Sequence, residues 1–298
     1  MENIIIIILL GISVILLSNT WKYNYYKLIK SNLLFYRYSI KNPIYKFNTL
    51  YDNISFDNTS YDNTSYDNIS FDNISYDNTS IPKTLYLCCK DKIKVPIKVI
   101  NRWIDLNPSY DIIISDNNDC IKFLKENYGK LYVDIFNYIE DGPIKADFWR
   151  LCILYKNGGV YSDIDIEPFI PLDNFLEYNI SFLVSKCTIN NLINPHIIFS
   201  VKGHYILKEC IKVYISLYEN KCKYNYWKWS IVFIMTFILK KYVKNIKYDS
   251  INLDLYNNRY QIIKENTSLF HYRTYSSYNN IKLLKSQYDS YDSVNHKF

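Results

Sequence analysis

IKADFWRLCILYKNGGVYSDIDIEPFIPLD, residues 144–173, changes its period halfway along. Gly142 and Pro143 punctuate the chain just before it and start a helix, which Gly158 and Gly159 stop. The next six residues, Val160 to Asp165, read as a strand. Alternation along that strand puts Asp163 and Asp165 on one face, about 7 Å apart, with Ile164 on the other. Two like charges at the end of an apolar strand are costly unless something positive lies beside them. A divalent cation is the simplest partner, and carboxylates suit hard ions such as Mg²⁺ or Mn²⁺, which in turn hold phosphates. Asp147 and Arg150, three residues apart, share a face of the preceding helix. The simplest account of that pair is a helix-surface ion pair worth a few tenths of a kcal/mol. The alternative is a polar clamp, with the Asp accepting from and the Arg donating to a ligand's hydroxyls.

Outward from this block the chain alternates strands and helices, as an α/β sheet requires. Residues 84–89 (TLYLCC) and 110–116 (YDIIISD) read as strands, and residues 95–108 as the helix between them. Residues 118–127 and 130–140 follow as helices. YWKWSIVFIMTFILKK, residues 226–241, has too few consecutive apolar residues to cross a membrane and reads as a buried core helix.

At 298 residues, with nearly half of them apolar or aromatic, the chain is long enough for one full-size core plus appendages. Its net charge of +6 comes from dispersed lysines, with no clustered Arg/Lys run of the kind that tracks a nucleic acid. Seven cysteines without CxxC spacing read as small buried hydrophobes, not as a disulfide framework or a zinc site. Residues 1–21, with the uncharged run from Ile4 to Leu17, are expected to form a short membrane anchor. Residues 22–80 then form a stalk, of which Tyr51 to Ser80 repeats every five residues and carries six Asn-x-Ser acceptor sequences. The basic residues after the apolar run favour a cytosolic stalk, whereas the acceptor sequences are usable only in a lumenal compartment. A secretory-pathway, single-pass placement is the expectation. The domain should span residues 81–278, leaving 279–298 as a polar tail.

The central block resembles glycosyltransferase family 32, sugar transferases with a DXD motif that include Golgi and inositol-phosphoceramide mannosyltransferases. The resemblance rests on Ala146, Asp147, Arg150, Leu154, Gly158, Gly159, Tyr161, Asp163, Asp165, Pro171 and Leu172 in their order and spacing. It extends upstream to IPK (Ile81 to Lys83), and downstream to INPHIIFSVKGHYIL (193–207) and LFHYRTYSSY (269–278). It implies a GT-A, Rossmann-like fold moving a hexose from a UDP- or GDP-sugar to a glycan or lipid acceptor, with retained anomeric configuration. On that likeness Mn²⁺ or Mg²⁺ is held by Asp163, Asp165 and His271. The donor lies against Asp147, Arg150, Gly158, Gly159, Tyr161 and Asp163, and Asp147, Arg150, Asp163 and Asp165 carry catalysis. His196 and His204 are assigned structural roles. The sequence departs from the family pattern at Cys89, where relatives carry a tryptophan able to stack on the base, and in lacking a Thr-Gly-Pro element.

Two other functions fit parts of the pattern. A DxD phosphatase would place its motif on the first strand, with Thr or Val two residues beyond; here the motif is mid-domain and Glu167 stands at that position. A catalytically inactive, membrane-anchored surface protein would not need Asp147, Arg150, Asp163 and Asp165 together.

Overall fold

A computed structural model of the chain describes residues 80–95, 97–188, 191–267 and 274–286. The expected anchor, the repeat stalk, His271 and the last twelve residues lie outside these. Among the described residues no helix is long and apolar enough to cross a membrane.

The fold is mixed α/β, as the alternation of elements requires. Strand β1 (Thr84–Cys88) is followed by α1 (Ile97–Leu106), β2 (Asp111–Ser115), α2 (Asn117–Tyr128), α3 (Lys130–Tyr138) and α4 (Gly142–Asn157). Next come β3 (Gly159–Asp163), β4 (Ile166–Pro168), β5 (Phe182–Cys187) and β6 (Ile193–Ser200). Helices α5 (Tyr205–Glu219), α6 (Tyr226–Trp229) and α7 (Ile231–Tyr242) precede β7 (Ser250–Leu253), β8 (Arg259–Thr267), β9 (Thr274–Tyr278) and β10 (Ile281–Ser286). One sheet runs β2-β1-β3-β6-β5-β8-β9-β10-β4, with β7 beside β8. β1 pairs in parallel with both β2 and β3, and β6 lies antiparallel between β3 and β5. Only two residues separate β3 from β4, yet β4 pairs with β10 at the far end of this order, so the sheet curls back on itself.

Local chemistry sets the boundaries. Asp116 and Asp119 form a reciprocal capping box at the start of α2, and Gly129 ends that helix at φ +82°. The apolar run 226–241 is not one helix. It breaks at Ser230, whose hydroxyl accepts from Val232 N at 3.3 Å and caps α7. The C-terminal boundary also moves: Ile281 to Ser286, expected in the tail, pair with β9 and β4, and Leu283 and Leu284 are buried. That six-residue stretch alternates too weakly to mark a strand by itself; its two partners supply the order.

Two apolar layers sandwich the central strands. Leu85, Leu87, Val160 and Ile197 pack towards Trp103 of α1 and Leu283 of β10. On the other face the rings of Tyr86 and Tyr161 each meet Trp149 of α4 edge-on, and Phe148 meets Tyr214 of α5. All seven cysteines are free thiols; Cys120, Cys152 and Cys210 are buried as expected, whereas Cys88, Cys89, Cys187 and Cys222 are half-buried.

Two positions have measurable consequences. Gly159 has φ +104°, and a Cβ there would lie 2.7 Å from the Thr84 carbonyl oxygen. Gly159→Ala is therefore expected to lower the unfolding free energy by about 2 kcal/mol or more in urea titration. His204, fully buried, caps α5 through a 3.3 Å bond from Ile206 N to its Nδ1, in the structural role assigned to it. Burial depresses its pKa to about 3, against a smaller opposing pull from Asp254. The unfolded chain binds that proton near pH 6.5, so stability from this group is present above 6.5 and is lost as the pH falls towards 3. Between pH 7 and pH 5 the expected loss is about 2 kcal/mol, and His204→Asn should flatten that slope in matched urea titrations.

Candidate active site

The site is built where α4 feeds β3. Asp147 and Arg150 both face inward from α4, at 6% and 5% exposure, so the pair is not the helix-surface ion pair that spacing alone suggested. Arg150 Nη2 lies 2.9 Å from Asp147 Oδ1 and 3.1 Å from Asp163 Oδ1. Its Nη1 donates to the Pro195 carbonyl at 2.6 Å, and its Nε to the Ala146 carbonyl at 3.3 Å. The guanidinium lies 4.3 Å from the centroid of the Tyr161 ring. The Tyr161 hydroxyl in turn donates to Asp163 Oδ1 at 3.0 Å.

Asp147 is held from its other side by a bond that no motif announces. The break at Ser230 starts α7 at Ile231, whose amide donates to Asp147 Oδ2 at 3.1 Å. A helix N-terminus favours a carboxylate there. Burial still dominates and lifts the Asp147 pKa to about 6; the Arg150 charge and the Ile231 amide pull the other way. Arg150 itself is held more firmly protonated by Asp163, Tyr161 and Asp147, against the desolvation that opposes its charge.

Asp163 is the last residue of β3, level with Cys88 of β1. Its side chain is 34% exposed, and both contacts described above fall on Oδ1. The strand does not continue to Asp165 as the alternation predicted. β6 pairs only as far as Ser162 and β1 as far as Asp163, so the ladder ends and Ile164 and Asp165 form a turn into β4. The two aspartates are neighbours at the sheet edge, but their proximity comes from the turn, not from a shared strand face.

The other expected residues separate by location. Tyr161 is 1% exposed and touches Arg150 and Asp163. Gly158 and Gly159, expected beside a donor, lie at the opposite end of β3 from Asp163, about 13 Å away along the strand. They are required there by the chain itself, because a Cβ on Gly158 would lie 2.7 Å from Lys202 N. His196 is buried between Ser185, at 3.1 Å, and Ser276, at 2.8 Å, a structural position as expected. Asn194 donates to Glu265 at 2.8 Å. Glu265, which no sequence pattern marked, is a buried carboxyl whose pKa is raised chiefly by desolvation, with a further push from Asp163.

Asp163, with one oxygen directed by Arg150 and Tyr161, and Asp165 on the following turn form an edge of hard oxygen donors of the kind that binds Mg²⁺ or Mn²⁺ through one or two carboxylates plus phosphates. Among the described residues no group of three or more His, Cys, Asp or Glu side chains is gathered as a metal-binding cluster.

Comparison with known proteins covers the stretch that holds these residues. Residues 94–182 match the family model described as a glycosyltransferase sugar-binding region containing a DXD motif. The chain is 28% identical over 92 residues to an initiation-specific alpha-1,6-mannosyltransferase of Candida albicans, covering 30% of this chain and 24% of that protein. It is 30% identical over 90 residues to the Saccharomyces cerevisiae protein of the same name, covering 30% and 18%. Inositol phosphoceramide mannosyltransferase 3 of Schizosaccharomyces pombe matches at 27% over 135 residues, covering 44% and 36%. These matches span between 18% and 36% of the relatives' lengths. Among solved structures, PaToxG glycosyltransferase aligns with a TM-score of 0.45 and 18% identity, over 54% of this chain and 69% of that one.

Removing the central cation is expected to be severe. Arg150→Ala leaves Asp147 buried without its partner, and the unfolding free energy should fall by about 3–5 kcal/mol in urea titration.

Proposed function

We propose that this chain, which carries the DXD sugar-binding region resembling glycosyltransferase family 32, is a retaining hexosyltransferase on a GT-A-type domain. It moves a sugar from a nucleoside-diphosphate hexose to a hydroxyl of a glycan or lipid. The observation that carries this reading is the fixing of Asp163, at the exposed end of β3, by a buried guanidinium and a tyrosine hydroxyl one turn before Asp165. Mannose is the first sugar to test, because the relatives above are named as mannosyltransferases.

In this reading Asp163 and Asp165, with His271, would hold a divalent cation. When bound, the cation supplies Lewis-acid neutralisation of charge developing on the leaving diphosphate. Asp163 is held ready, because its orientation is set before any ligand arrives. Asp147 and Arg150 orient the sugar at the inner wall of the site and position Asp163. Their hydrogen-bonding capacity is largely engaged within the protein, so their contribution falls mainly on geometry. An N-terminal anchor in a secretory membrane completes the proposal.

The full chain, incubated with a panel of UDP- and GDP-hexoses, should release nucleoside diphosphate only with Mn²⁺ or Mg²⁺. Asp165→Ala should lower that release by about 100-fold or more. Undiminished turnover in the variant, or in excess chelator, would remove the metal-dependent mechanism.

A further inference from the structure

The DXD edge is not the only charged feature at this end of the sheet. A cavity of about 470 Å³ opens between the ends of β5 and β6 and the last turn of α7. Lys186, Lys240 and Lys244 line it together with Asn191, Asn245 and Thr236, and no acidic side chain does. Among the described residues none of the three lysines is in an ion pair. Lys186 is fixed in place: its Nζ donates to the Ile246 carbonyl at 3.0 Å and lies 4.5 Å from the centroid of the Tyr248 ring. Tyr248 is itself tied by its hydroxyl to the Cys187 carbonyl and to Asn191 Oδ1, both at 2.8 Å. Partial burial lowers the Lys186 pKa, and the neighbouring Lys240 charge lowers it further. The carbonyls at the end of α7 account for Lys240 alone, since a cation in a last helical turn is favourable. They do not account for Lys186 on β5, nor for Lys244 beyond the helix.

The position relative to Asp163 is set by register. Tyr161 of β3 is level with Ile198 of β6, and Ile198 with Val184 of β5. Asp163 lies two residues beyond Tyr161, and Lys186 two beyond Val184 on a strand running the same way. The two residues therefore stand at the same end of their parallel-running strands, across a register shift in the β5–β6 pairing between Val184 and Ser185. Helix α7 joins them on one face: its first amide holds Asp147, and Lys240, nine residues on and about 14 Å away, borders the cavity.

We propose that this cavity binds a phosphate ester and, resting on the transferase reading above, that the phosphate belongs to the acceptor. Three lysines, two of them exposed, line one space together with the amides of Asn191 and Asn245, a donor set suited to a tetrahedral dianion or a phosphodiester. The acceptor hydroxyl is then presented towards Asp163 along the sheet edge. A lipid headgroup diester and a phosphorylated soluble sugar share this chemistry.

The test uses the full chain and titration calorimetry without nucleotide sugar. The probes are glycerophosphoinositol as the diester and mannose 6-phosphate as the monoester, with inositol and mannose as uncharged controls. One or both phosphate esters should bind, the controls should not, and Lys240→Gln/Lys244→Gln should weaken that binding about tenfold or more. Which ester binds more tightly identifies the source. The double variant should leave metal-dependent donor hydrolysis unchanged, because neither lysine touches the DXD edge. Failure of both esters to bind, or equal binding by the double variant, overturns the site. Ester binding in a chain that never turns over a donor leaves the site standing and overturns the transferase reading instead.

Discussion

The guanidinium of Arg150 is the constraint around which the site is organised. It is almost wholly buried, and such a charge persists only if its donors are met. Two carboxylates, two backbone carbonyls and an aromatic face meet them, drawn from α4, β3 and β6. Each partner is thereby fixed relative to the others. The half-exposed Asp163 inherits an orientation from residues that solvent does not reach.

That interior extends further than one ion pair. Asp147 ties Arg150 to the first amide of α7, so the packing of α7 on the sheet and the electrostatics of the site are one arrangement. The same helix reaches the lysine-lined cavity at its other end. The DXD edge and the lysine-lined cavity are thus braced by a single element, while the curled sheet brings β10 round to pair with β4, directly after Asp165.

Much of this was legible in the sequence, for identifiable reasons. Strong signals were short-range: Gly158 and Gly159 ending a helix, and the short apolar runs in residues 84–89 and 110–116 marking strands. The spacing of Asp147, Arg150 and Asp163 marked side chains that the fold brings into contact. It could not tell a surface ion pair from a buried one, because burial depends on what packs against the helix. The end of β3 at Asp163 was hidden for the same reason: alternation through Asp165 is intact, and only the missing ladder partner stops the strand. Ile231 and Pro195 contribute backbone atoms, which carry no residue-type signal. Glu265 lies in an ordinary alternating run, and nothing in its neighbours marks it.

The turn bearing Asp165 is clamped on its far side as well. The Trp103 indole donates to the Ile166 carbonyl at 2.9 Å, and Asn107 Oδ1 accepts from Leu172 N at 2.7 Å. Between these fixings and the end of β3 the chain has two residues and no slack. The length of that link is therefore a molecular ruler: lengthening or shortening it would alter the gap between the two carboxylates while leaving the framework on either side intact, so the spacing can be lost without the fold being lost.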